Sequence, residues 1–367
     1  MTVHLHRAER ADTLALALAE LLSDPLDDVF AEEVVAVPAR GIERWLTQRM
    51  SHHLGRRTGR GDGICANVRF PSPAALIAEV AGRTDFDPWA PDAAVWPLLE
   101  VIDASASETW CRALAAHLGY LDVPDAAHRR GRRYAVARRL AGLFAGYATH
   151  RPDMLTAWAA GRDEDGWGGA VPSDMAWQPE LWRRLAARID APDPVVRLAD
   201  VVQRLRTDPS IVELPQRLSL FGPTALPARQ LRLLAALAEH RDIHLWLPHP
   251  SPELWASLAN TEQPAAMVKR AADPSARASR HPLLSSLGRD AREMQTTLSA
   301  VPHQDVHHPG AARPTTLLGR LQRDLRDNVR PSSRNHQLSS DDNSIQVHAC
   351  HGPARQVDVL RDAIVGL

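Results

Sequence analysis

Arg40 and Arg44 stand four residues apart beside Gly41 in Val37-Pro38-Ala39-Arg40-Gly41-Ile42-Glu43-Arg44-Trp45. On a helix that spacing sets two guanidinium groups one turn apart on one face, where they can meet phosphate oxygens, and a glycine lets backbone approach a ligand closely. The competing reading is a solvated helix start with Trp45 in the core. A second cationic cluster, Arg129-Arg130-Gly131-Arg132-Arg133 continuing to Arg138-Arg139, is the strongest local positive patch and would suit a nucleic-acid backbone. A solvated face balanced by acidic neighbours explains it equally well.

Other chemistry lacks its parts. A phosphate-binding loop needs glycines and a lysine at a strand-to-helix turn, G-x-x-x-x-G-K-[ST]. The first such turn here is Arg7-Ala8-Glu9-Arg10-Ala11-Asp12-Thr13, with neither residue and with two carboxylates that repel phosphate. The only lysine, Lys269, has no glycine near it, and no G-x-G-x-x-G occurs, so independent ATP binding is not expected. His52-His53 diverge by about 100° on a helix and do not converge on one ion. His303, Asp305, His307 and His308 have ligand chemistry but read as a Pro-bounded loop without H-E-x-x-H spacing, so no metal site is expected. No G-x-S-x-G elbow is present, and Asp27-Asp28 and Asp341-Asp342 read as solvated pairs in polar connections. No reaction centre assembles, and no catalytic residue is assigned. Trp96, Trp177 and Trp182 sit among apolar helical neighbours and read as packing.

The elements that must carry these residues repeat in order. Val3–His6 reads as a strand and Ala11–Leu22 as a helix; Glu33–Val37 and Gly41–Leu54 repeat the unit; Ile64–Phe70 and Ala74–Val80 repeat it again across Pro71-Ser72-Pro73. Strand and helix alternating through short connections imply an α/β fold with a parallel sheet, whose turns after the strands gather at one edge. Residues 88–210 read as helix only, with Arg129–Tyr147 the clearest helix. Strands return at Arg217–Gly222 and Asp242–Leu247, so the helical block is an insertion into one sheet. A short helix at Leu317–Asn328 and a polar, linker-like tract at 331–343 follow, then a strand at Ser344–Ala349 and a helix at Pro353–Val365, which read as the start of a second sheet domain.

The 367 residues carry 43 basic and 44 acidic side chains, 44% hydrophobic residues and few aromatics, as in a globular protein of about two domains. Near neutrality argues against a chain coated throughout for nucleic acid but leaves room for a local patch. Three separated cysteines without C-x-x-C, no signal-peptide pattern and no apolar run of spanning length imply a cytoplasmic chain with reduced thiols.

Val37–Leu46 and Gly63–Pro73 together resemble the N-terminal signature of the RecC family, the gamma subunits of exodeoxyribonuclease V. The likeness continues in order at Tyr147–Leu155, Ala176–Trp182, Phe221–Pro227, His281–Leu284 with Leu287–Asp290, and His348–Leu360. The resemblance implies a superfamily 1 helicase-like domain, P-loop NTPase-like but lacking the P-loop, formed by 1–87 and 211–330 around a mainly helical insertion at 88–210. A linker at 331–343 and the opening of a second helicase-like domain at 344–367 would follow. It implies a non-catalytic subunit of a DNA-end-processing helicase and nuclease, partnered by RecB-like and RecD-like motor subunits. The subunit guides the 3′-ending strand from a duplex end through a tunnel where a Chi sequence can be read. ATP and Mg belong to the partners, and no cofactor belongs to this chain. Carried over residue by residue, the family's strand contacts fall on Pro38, Arg40 and Arg44 with Gly41 between, on Ser72 and Ala78, on Gly142 and Ala145, and on Arg151. Arginine at 40 and 44 replaces small polar and amide side chains, which implies phosphate contact in place of base readout in part of the tunnel. Two other classes remain: an interaction module that meets the motor subunits without holding DNA, and an active helicase–nuclease chain, which the first turn argues against.

Overall fold

Residues 2–28, 30–55, 63–82, 86–121, 126–260, 273–310, 315–331 and 339–366 are described in this computed structural model. Lys269 lies outside them. In strand β1 (Val3–Ala8) alternate side chains part company: Val3 and Leu5 are buried on one sheet face, and His4, His6 and Ala8 point to the other. Strand β2 (Glu33–Ala36) is apolar on both faces at Val34, Val35 and Ala36, as a strand covered on both sides must be. With β3 (Val68–Arg69), β4 (Arg217–Phe221), β5 (Asp242–Pro248) and β6 (His303–His307) they form one parallel sheet in the order β3-β2-β4-β5-β1-β6.

Helices α1 (Ala11–Leu22) and α2 (Arg40–Ser51) follow β1 and β2 and cover one face, packing Leu14, Leu18, Leu46 and Met50 on Val35, Phe221 and Trp246. The other face, Leu5, Val34, Leu220 and Leu245, is covered from α3 (Pro73–Val80) and from helices later in the chain. Between α3 and β4 lies the insertion: α4 (Pro91–Ser105), α5 (Arg112–His117), α6 (Ala126–Arg130), α7 (Arg133–His150), α8 (Pro152–Ala159), α9 (Trp177–Ile189) and α10 (Pro194–Thr207). Most of it shares its own core around Leu98, Ile102, Phe144, Trp158 and Trp182. After β4 come α11 (Ala228–Ala238) and, beyond β5, α12 (Pro252–Ala259), α13 (Pro282–Leu287) and α14 (Arg289–Leu298). Helices α15 (Leu317–Arg326) and α16 (Gly352–Val365) follow β6. Among the described residues no helix is long and apolar enough to cross a membrane.

Four expectations are corrected. The segment with His303, Asp305, His307 and His308, read as a loop, supplies edge strand β6 in register with β1, Val3 opposite His303 and Arg7 opposite His307. Ser344–Ala349, read as a strand, forms none: Val347 is 93% exposed, and β structure needs a partner ladder that this segment does not meet. The helix expected from Arg129 is broken at Gly131-Arg132, where a turn closes from Arg132 N–H to Arg129 O at 3.0 Å; glycine has little helix propensity. The third strand shrinks to two residues because Asn67 takes a left-handed φ of 57° just before it and Ile64 is exposed.

Part of the polar tract is tied down. Asp342 accepts from Leu317 N–H at 2.7 Å and Ser344 Oγ from Leu318 N–H at 3.1 Å, so the returning chain caps α15 beside its own cap, Thr316.

Candidate nucleic-acid interface

The turns after β2, β3 and β4 lie together at the carboxyl edge of the sheet. Val37 N–H donates to Pro71 O at 2.9 Å and fixes the first two side by side. Arg40 begins α2 behind Ala39, an extended cap residue with no side-chain cap, so the first N–H groups of α2 keep no side-chain acceptor at that cap. Arg40, Gly41 and Arg44 are all exposed, and among the described residues neither arginine forms an ion pair. A Cβ built on Gly41 would meet nothing within 4 Å, so this part of the backbone faces open space. Ser72 is exposed and caps α3, its Oγ accepting from Ala75 N–H at 3.1 Å, with Pro73 at the first helical position.

Arg229, at the start of α11 after the β4 turn, reaches into the insertion. It is buried and donates to Ala148 O near the end of α7, to Pro194 O at 2.9 Å and to Val195 O at 3.0 Å. The end of α7 is thereby held against the sheet edge, and Arg151 stands directly after it, its N–H bonded to Tyr147 O at 2.8 Å. The Arg151 guanidinium lies 4.0 Å from the centroid of Trp167, a cation–π pair. Trp167 caps a loop built to present it: Asp165 accepts from Trp167 N–H at 2.8 Å and Gly169 N–H at 3.0 Å, and Gly166 and Gly168 take φ of 81° and 87°. Gly142 is exposed and Ala145 half-buried on α7. Arg229 and Trp167 were not legible as site residues, although Trp167 stood in Asp-Gly-Trp-Gly-Gly, where glycine on both sides speaks against a core position.

The cationic cluster at 129–133 is partly spent internally. Arg129 and Arg130 donate to Ala116 O at 3.3 Å and Gly119 O at 3.1 Å, around the carboxyl end of α5, and Arg133 pairs with Asp103. Trp182 is buried and Trp177 half-buried, as expected, but Trp96 is 60% exposed, which corrects its reading as packing.

At the turn after β1 the charges close on each other. Glu9, with a side chain 3% exposed, meets His307 Nε2 at 3.2 Å and Arg326 Nε at 3.4 Å. Arg7 makes a two-pronged pair with Asp305 at 2.6 and 2.9 Å and lies 4.4 Å from the Trp255 ring, whose Nε1 donates to Asp305 at 3.0 Å. Asp12, in the first turn of α1, takes Arg10 at 2.8 Å and Thr13 N–H at 3.0 Å. The Arg10 hydrogen bond holds the Asp12 carboxyl below the usual carboxylate range. The positive end of α1 is thus satisfied by its own carboxylate.

The histidines of β1 and β5, with His308 just after β6, form a ladder. His6 Nδ1 is 3.0 Å from His308 Nε2, His6 Nε2 is 3.0 Å from His244 Nδ1, and His4 stacks on His244 at 4.6 Å. Each close contact uses a different nitrogen pair, so the rings do not converge on one point, and among the described residues no group of His, Cys, Asp and Glu has metal-holding geometry. Burial, with the neighbouring imidazoles, pushes His6 down to about 4 and His244 down to about 3.

Residues 3–328 match the family model "RecC, N-terminal domain". Over its whole length the chain is 54% identical to the RecBCD enzyme subunit RecC of Mycobacterium tuberculosis and 53% identical to that of Mycolicibacterium smegmatis, covering 33% and 32% of those proteins. It is 26% identical to the RecBCD enzyme subunit RecC of Escherichia coli K12, again over the whole chain and 35% of that protein. The chain therefore spans about a third of the length of these relatives.

Proposed function

The chain belongs to the RecC family, and from that premise we propose that it is the non-catalytic, DNA-guiding and scaffolding part of a RecBCD-type enzyme. Its sheet is a superfamily 1 helicase-like domain relieved of ATP chemistry. RecB-like and RecD-like motor subunits in the cytoplasm would supply ATP and Mg. The observation that carries this reading is the contrast at the carboxyl edge: Arg40 and Arg44 stand exposed without carboxylate partners among the described residues, while Glu9 and Asp12 occupy the turn where a nucleotide phosphate would sit. Arg40, Gly41, Arg44, Ser72 and Arg151 would line the path of the 3′-ending single strand, Arg40 and Arg44 holding phosphates and Arg151 presented on Trp167. A Chi sequence could be read along that path, with phosphate contact by Arg40 and Arg44 in place of base readout in part of it.

The protein should bind single-stranded DNA with a strong salt dependence and show no ATP turnover alone. Replacing Arg40, Arg44 and Arg151 together by alanine should weaken binding, with a salt slope reduced by about 0.7 for each lost phosphate contact. Binding and slope equal to wild type, or ATP hydrolysis by the purified chain, would overturn the proposal.

A second reading, a module that meets the motor subunits without holding DNA, draws on α16. There Val357, Leu360 and Ile364 are 66%, 60% and 60% exposed and present an apolar face suited to protein contact. Wild-type protein that captures a motor subunit but not single-stranded DNA would favour it.

A further inference from the structure

Trp96 is on the wrong side of its helix for a core residue. The buried positions of α4 are Ala94, Val95, Leu98, Val101, Ile102 and Ser105, and Trp96 falls off that stripe with 60% of its surface in solvent. Tyr134, at the start of α7, is 47% exposed, and the two rings pair at 5.7 Å between centroids, tilted by 45°. Two large aromatic side chains left open together on a helical surface mark a contact site.

The surrounding charge says what kind. Among the described residues Arg138, one turn after Tyr134, reaches only Asp92, at 3.9 Å, and is itself 65% exposed, and Arg132 and Arg139 form no ion pair. The exposed carboxylates one turn to either side of Trp96, Asp92 and Glu100, are paired with Arg138 and Arg188, which leaves arginine as the unpaired charge. At 100° per residue, Tyr134, Arg138, Gly142 and Ala145 fall within an arc of about 80° on α7. The arc holds no exposed aliphatic side chain. It runs from Tyr134 to the far end of the helix, about 25 Å away at 1.5 Å per residue, where Arg151 lies over Trp167. One end thus carries the Trp96–Tyr134 ring pair with Arg138 one turn away, the other the Arg151–Trp167 cation–π pair, with small side chains between. Sequence-tolerant stacking of bases on rings, with arginines along the backbone, is how proteins hold single-stranded nucleic acid.

We propose that Trp96, Tyr134 and Arg138 form a second binding site for single-stranded nucleic acid on the helical insertion. The rings stack on bases, and the strand continues along α7 to Arg151. This rests on the DNA-guiding reading above and adds a contact outside the sheet edge.

The test uses the full chain and oligothymidylates of about four and about twelve nucleotides, with fluorescence anisotropy as the readout. Trp96→Ala and Tyr134→Ala should each weaken binding of the longer strand about fivefold or more, the lower end for loss of one stacked base, and leave the shorter strand, held at Arg151, within about twofold. Trp96→Phe should restore most of the loss. Both side chains are exposed, so unchanged thermal melts are expected and separate lost contact from lost fold. Affinity for the longer strand unchanged in both alanine variants, while Arg40→Ala/Arg44→Ala/Arg151→Ala weakens it, would overturn this site and leave the sheet-edge reading intact. No binding of either strand by wild type would overturn both.

Discussion

The turns after β1 and β2 occupy equivalent places in two successive strand–helix units, and the chain has spent their charges in opposite ways. After β1, Glu9 is sealed by His307 and Arg326, Asp12 by Arg10, and Arg7 by Asp305, so every charged group there faces a partner from its own chain. After β2, Arg40 and Arg44 face solvent without ion pairs among the described residues. Fold alone does not decide whether such a turn binds an anion. What decides it is whether the cationic groups and helix N–H donors are already satisfied from within.

The largest effect should come from the bolt that holds the open side together. Arg229→Ala would leave Ala148 O without this donor in a buried setting and remove the tie to the part-buried carbonyls of Pro194 and Val195, a cost of about 2 kcal/mol. Denaturant melts should show it. The closed side can be broken with acid instead. His6 and His244 have folded values of about 4 and about 3 against 6.5 for the free side chain. Their contribution is complete above pH 6.5 and is lost as pH falls toward 4 and then 3, because the unfolded chain takes up protons first. Allowing for partial solvent access and for coupling between the rings, stability should drop by roughly 2 kcal/mol between pH 7 and pH 4, and less in His6→Asn. Glu9→Ala strips His307 and Arg326 of their shared carboxylate; with both partners partly exposed, about 1 kcal/mol should be lost. Arg40→Ala/Arg44→Ala should change stability by less than about 0.5 kcal/mol, since neither side chain has an ion partner among the described residues to lose. A larger loss there would mean that these arginines are structural and the comparison false.

Much of the frame was legible because it rests on local pattern. Val34-Val35-Ala36 and Leu218-Ser219-Leu220 read as buried strands and are buried strands. Edge strand β6 was not, since His-Gln-Asp-Val-His has one apolar residue and becomes a strand only by pairing with β1, some 300 residues earlier. Ser344–Ala349 failed in reverse: Ile345 and Val347 alternate as strand residues do, but among the described residues no ladder meets them. At the site, Arg40 and Arg44 sat in a recognisable turn, whereas the burial of Glu9 depends on Arg326, and Arg229 matters only through carbonyls brought to it by the helical insertion. Long-range partners of single charged side chains leave no periodicity to read.

The most direct test sets the two turns against each other in one experiment: the dependence of single-stranded DNA affinity on salt for wild type, Arg40→Ala/Arg44→Ala and Glu9→Gln. Opening the β2 turn to DNA predicts a slope shallower by about 1.4 for the double arginine variant, two contacts at 0.7 each, and a wild-type slope for Glu9→Gln. A wild-type slope in the arginine variant, or a slope changed by Glu9→Gln alone, would contradict the account.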